Sequence, residues 1–143
     1  AFGDIVDPAT GRVVAGVRTP DGIGLADARV LIRSGATQKN PIGENSTIGV
    51  IATNARLTKA QATKVAQMAH DGLARAIAPV HSMNDGDTLF ALATGQLAQT
   101  ADVNVVGALA ADVVAEAVLN AVRQAIGLPG LPAVRDLAAA AGR

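Results

Sequence analysis

Residues 47–53, TIGVIAT, are apolar on both faces and rich in β-branched side chains. Such a run offers no face to solvent, so it constrains the fold to one that encloses a strand between layers. Directly before it lies RSGATQKNPIGEN (residues 33–45), which has no apolar period, two glycines and a proline. That stretch is expected to be an exposed, mobile loop. Asn45, Ser46 and Thr47 form the junction between the two. A hydroxyl residue is thereby held at the mouth of a rigid element, beside a segment loose enough to be cut. The setting suits a nucleophile, although a serine in a loop is far more often a solvated residue or a cap.

A second apolar run, TLFALAT (residues 88–94), echoes the first and fits the same kind of sheet interior. Shared β composition explains the likeness without a repeat. The polar loop HSMNDGD feeds this run and ends in Asp85, Gly86 and Asp87. If both strands belong to one sheet, the two carboxylates approach Ser46. Like charges in close approach raise one pKa, so one proton could be shared between them. The alternative is a solvated DGD turn.

The rest of the chain reads as support. Residues 3–7 and 12–17 form a hairpin across DPATG, where Pro8 presets φ and Gly11 can take a positive one. TPDG (residues 19–22) is another turn, and residues 25–32 are compatible with helix or strand, helix being the expectation. Thr58 and Gln61 make a capping box for a helix that runs to about Ala78, before Pro79. Its stripe of Val65, Met68, Ala69, Gly72, Leu73, Ala76 and Ile77 suits packing on a sheet, and Asp71 could pair with Arg75. His70 lies between the faces, where a hydrogen-bonded boundary histidine is commoner than a base. Asp102 caps a long helix to about Ile126 whose polar stripe, Asp112, Glu116, Asn120, Arg123 and Gln124, is narrow. Val105, Val106, Leu109, Val113, Val118 and Val122 cannot all face a single sheet, so part of this helix should meet other chain. Gly127, Pro129, Gly130 and Pro132 then break the chain before a short Ala-rich helix carrying Arg135 and Asp136.

The 143 residues, 50% of them hydrophobic, suffice for one core. Phe2 and Phe90 are the only aromatic residues, so that core must be aliphatic. Twelve basic and twelve acidic residues, without a basic run, give no ground for a nucleic-acid or anionic membrane partner. The absence of cysteine removes disulfides and thiolate chemistry, and two histidines, His70 and His81, are too few for a metal cluster, so no cofactor or metal is expected. Asp112 and Glu116 interrupt the longest apolar helix and argue against a membrane span, leaving a cytoplasmic protein as the expectation.

VDPATG near the start, GENSTIGVIATNARLTKAQ, AHDGLARAI and DGDTLFALATG together make the chain resemble the self-processing L-aminopeptidase/D-esterase family, which includes β-aminopeptidases and nylon-oligomer hydrolase. The resemblance is specific between Asn45 and Gly95. It implies a layered αββα fold of the N-terminal-nucleophile hydrolase type, of which this chain is the C-terminal part. It also implies self-cleavage between Asn45 and Ser46, after which Ser46 is the nucleophile and Asp85 and Asp87 stand beside it. In nylon-oligomer hydrolase both matching places are aspartate; in some β-aminopeptidases they are serine and glutamate. Residues 1–45 would then end the α-subunit portion, and residues 46–143 would be the β-subunit portion. The family's oxyanion-holding asparagine would fall just before Ala1, and its other pocket residues further upstream. The expected substrate is a peptide, amide or ester with a free N-terminal amine, and the expected partners are the upstream portion and further copies in a homo-oligomer. A competing reading is a catalytically inert fragment that only assembles through its long apolar helix; a metal-dependent amidase lacks ligands.

Overall fold

The computed structural model describes residues 1–35 and 46–141. It is a mixed α/β structure with two small sheets and four helices among those residues. β3 (Ile48–Thr53) and β5 (Thr88–Ala93) pair in parallel, Ile48 opposite Thr88 through to Thr53 opposite Ala93. Parallel neighbours need a long crossover, and α2 (Lys59–Ala76) supplies it. The second sheet has the order β2 (Val13–Ala15), β1 (Asp4–Val6), β4 (Ile77–Ala78), with both pairings antiparallel.

α2 starts as its sequence dictates. The Thr58 side chain accepts from Gln61 N, and Gln61 Oε1 accepts from Thr58 N at 2.9 Å. Its buried residues, Val65, Ala69, Gly72, Leu73 and Ala76, lie within the expected stripe. The helix stops at Ala76 rather than near Ala78. Pro79 disfavours helical geometry in the residue before it, and Ile77 and Ala78 leave the helix as β4, pairing with β1. Arg75 does not take Asp71; it crosses to Asp112 at 2.5 Å.

α3 (Val103–Gln124), capped by Asp102, packs on α2 through Gly107, Ala110, Ala111, Ala115 and Leu119. The approach is close: a Cβ on Gly72 would lie 2.3 Å from the carbonyl oxygen of Ala111, and one on Gly107 would strike Met68. α3 is long and apolar enough to cross a membrane, so Asp112 and Glu116 do not exclude a span by composition as expected from the sequence. What places this helix is its packing against α2. Val105, Leu109 and Val113 remain exposed on the opposite side.

Ile51, Val65, Ala69, Leu73, Ile77, Leu89 and Ala110 make an aliphatic core between β3–β5 and the helices, while Phe90 stays outside it. The sheet is therefore covered on one face only. Ile48, Val50, Phe90 and Leu92 point away and are exposed, Ile48 to 74%. The expectation that both faces of these strands are enclosed is not met within this chain, because no described element lies over the outer face.

At the other end of the molecule, Asp4 is 1% exposed and accepts from Val17 N at 2.8 Å and Ala28 N at 2.6 Å. It ties the hairpin to α1 (Ala28–Arg33), the helix expected from residues 25–32, which Asp27 caps. α4 (Val134–Ala141) closes the chain, with Arg135 donating to the carbonyl oxygens of Arg123 and Gln124 at the end of α3.

Candidate active site

The parallel register sets the site. Because β3 and β5 begin at the same level, the residues just before them stand side by side, and Thr88 N donates to the carbonyl oxygen of Thr47 at 2.8 Å. That pairing aligns Ser46–Thr47 with Gly86–Asp87. The Asp87 side chain, 2% exposed, accepts at Oδ1 from Thr47 N at 3.1 Å and from the Ala1 amino group at 2.7 Å. The Ala1 amino group also reaches Thr47 Oγ1 at 2.9 Å. Burial pushes the Asp87 pKa up, but hydrogen bonds from Ala1 and Thr47 and the charge of the amino group outweigh it and hold the carboxyl below its ordinary value. These donors favour the ionised form of Asp87.

Ser46 is exposed at the end of this arrangement. Its hydroxyl lies against Gly86, so close that a Cβ at position 86 would be 2.6 Å from Ser46 Oγ. Asp85 folds back on its own loop, Oδ2 accepting from Ser82 N at 2.9 Å. Asp85 Oδ1 and Asp87 Oδ2 are buried without a hydrogen bond. Buried oxygens are normally satisfied, and two unsatisfied ones in a single loop mark a place where a donor is still wanted.

His81 supplies part of that environment. Its φ of 58° is left-handed, uncommon for a residue with a side chain, and its Nδ1 lies 3.2 Å from Asp87 Oδ2 without the alignment of a hydrogen bond. The ring of His70 sits 5.0 Å behind that of His81, tilted by 54°. In the sequence His70 reads as a boundary residue, and His81 only as one of two histidines too few for a metal cluster. A histidine six positions before an acid in one polar loop was the available signal.

Of the residues singled out from the sequence, Ser46 lies against Gly86 of the loop that carries Asp85 and Asp87, and Asn45, with residues 36–44 before it, lies outside the described residues. A separate cavity of about 630 Å³, lined among others by Arg12, Ile23, Arg29 and Leu137, includes none of them.

The sequence model described as Peptidase family S58 matches residues 9–134. The chain belongs to peptidase family S58. Among S58-like relatives, an "uncharacterized aminopeptidase" of Mycobacterium tuberculosis is 41% identical over 155 residues, covering 96% of this chain and 45% of its own length. A protein of the same description from Mycobacterium leprae is 42% identical over 153 residues, covering 92% of this chain and 40% of its own length. A 6-aminohexanoate-oligomer endohydrolase of Paenarthrobacter ureafaciens is 33% identical over 99 residues, 60% of this chain and 28% of its own length. The chain thus spans less than half the length of these relatives.

Proposed function

We propose that this chain is the nucleophile-bearing part of a self-processing serine hydrolase that removes N-terminal amino acids from peptides, amides or esters. The observation that carries the reading is the seat of the Ser46 hydroxyl against Gly86, inside the acidic loop whose Asp87 accepts from Thr47 N. Names among the S58 relatives, aminopeptidase and oligomer endohydrolase, support hydrolysis of amide bonds.

A serine hydroxyl is a weak nucleophile until a base takes its proton. Before processing, the nitrogen of Ser46 is an amide and cannot serve. Attack of Ser46 Oγ on the Asn45 carbonyl breaks the C–N bond, the nitrogen takes up the proton, and Asn45 is left as an ester on the hydroxyl. Water hydrolyses that ester. The freed α-amine, with an ordinary pKa of about 7.7–8.0, then accepts the Oγ proton from its own residue. Oγ attacks the substrate carbonyl, the ammonium returns a proton to the leaving nitrogen, and water releases the acyl group. Asp87 orients the amine end of this unit, with Asp85 beside it.

Residues 1–45 then end one subunit portion and residues 46–143 form the other, as the C-terminal half of a layered αββα fold. The bare outer face of β3–β5 suits a second sheet from the upstream portion, and the exposed apolar side of α3 suits another copy in a homo-oligomer. The Ala1 nitrogen stands 2.7 Å from Asp87 Oδ1, so the asparagine that the family resemblance puts just before Ala1 would enter at the site.

Mass spectrometry of the full-length protein and of Ser46→Ala tests the reading. Two species dividing between Asn45 and Ser46, reduced to one uncut and inactive species by Ser46→Ala, is the expected result. Undiminished hydrolysis of amino-acyl p-nitroanilides by Ser46→Ala would show another nucleophile. An uncut wild-type chain without hydrolase activity would favour an inert assembly fragment.

A further inference from the structure

Gly86 stands between the two acids, and its own backbone does not demand glycine. Its φ lies outside the left-handed region in which the chain's positive-φ glycines fall, so an L-side chain fits its conformation. The atoms that a Cβ there would meet are Ser46 Oγ at 2.6 Å and Ser46 Cβ at 3.6 Å. Glycine at this place therefore keeps a space empty, and what occupies it is the hydroxyl of Ser46.

We propose that Gly86 is a positioning residue: the absence of its side chain lets the Ser46 hydroxyl adopt the rotamer that seats Oγ against the acidic loop. A hydroxyl on a single χ1 has three staggered choices. A methyl group at position 86 removes the one seen here at small structural expense, because Oγ can swing away about its own bond. The fold tolerates such a change; the chemistry does not, since misplacing a reacting atom by about 1 Å can lower a rate on the order of 10²-fold. This rests on Ser46 being the nucleophile, and the test separates the two ideas.

The experiment uses the full-length protein with Gly86→Ala in two backgrounds, Ser46 and Ser46→Ala. Thermal midpoints are taken for all four proteins, and self-cleavage and p-nitroanilide kinetics for those with Ser46. Expected is a loss of midpoint from Gly86→Ala with Ser46 that disappears when Oγ is removed, a coupling of the kind a double-mutant cycle isolates. Self-cleavage and kcat should fall on the order of 10²-fold with KM changed by less than about threefold, the split expected when the reacting group rather than substrate binding is disturbed. Equal midpoint shifts in both backgrounds would overturn the contact. Coupled midpoints with unchanged kcat would overturn its catalytic meaning while leaving Ser46 in its role. Retained hydrolysis in Ser46→Ala would instead remove the function on which the inference rests.

Discussion

The leading ends of β3 and β5 and the outer face of the same strands are built from adjacent residues, yet the chain pairs its backbone donors at one and leaves the other bare. At the ends, Thr47 N, Thr88 N and the Ala1 amino group all find acceptors, and Asp87 is 2% exposed. One residue further on, Ile48 is exposed to 74%, and Val50, Phe90 and Leu92 continue the same apolar strip. Polar groups must be satisfied locally because an unpaired buried one costs as much as a lost hydrogen bond, whereas an apolar face can wait for a partner. The hydrogen bonds beside Ser46 are thus made within this segment, while the apolar strip is left without a cover among the described residues.

That contrast can be broken first at two neighbours in β5. Leu89 faces the core at 8% exposure and Phe90 faces outward at 57%. Leu89→Ala should cost about 2–5 kcal/mol by denaturant unfolding, the usual range for a buried leucine. In the full-length protein, where the strip is covered on the proposed reading, Phe90→Ala should cost about 3–5 kcal/mol. A loss within about 0.5 kcal/mol, typical of a surface site, would mean that the outer face stays open.

The hydrogen-bonded end is probed by Asp87→Asn on material already split at Asn45–Ser46, so that processing and catalysis are not confused. The expected fall in kcat is on the order of 10²-fold, the scale of a positioned acid–base group, or about 2.7 kcal/mol. KM should move less, and Asp85→Ser should be milder, since Asp85 is turned toward Ser82. Stability follows the same carboxylate. In the 143-residue chain, whose Ala1 amino group pairs with Asp87, a folded-state pKa below the unfolded one means that the native state binds fewer protons, so stability is present above the unfolded pKa and is lost as pH falls through the lowered one. Asp87→Asn should flatten that acid limb; an unchanged limb would remove Asp87 from it.

The smallest effect belongs to Arg75–Asp112, which is well paired but exposed at both partners. Arg75→Ala should change stability by less than about 1 kcal/mol, and less still in high salt. A larger loss would show that pairing counts in this fold even without burial.

Much of this was legible from local chemistry. Thr58 with Gln61, and Asp102, announce their helices because a cap is decided within four residues, and the buried stripe of α2 follows from its period. The junction at Ser46 was visible as a change from polar loop to β-branched run. Contacts set by tertiary pairing were not visible. β4 exists because Pro79 ends α2 early and β1 is there to receive two residues, which no window over α2 reveals. Asp4 carries no signal of its own within the hairpin sequence, since its burial depends on Val17 and Ala28. Gly86 read as a turn glycine because its constraint comes from Ser46, far away in sequence. The outer face of β3–β5 is open among the described residues although its pattern asks for a cover, because an apolar pattern records what a strand requires, not which segment provides it.

One hydrogen-bonded residue decides how the proposed processing leaves the protein. A newly severed chain end ordinarily frays, and each released residue blurs the position of the terminal amine. Thr47 sits one residue after the proposed scissile bond and is fastened on both sides, its nitrogen to Asp87 and its carbonyl to Thr88. The cut therefore leaves a leash one residue long, and the amine it creates can wander no further than the reach of Ser46 itself.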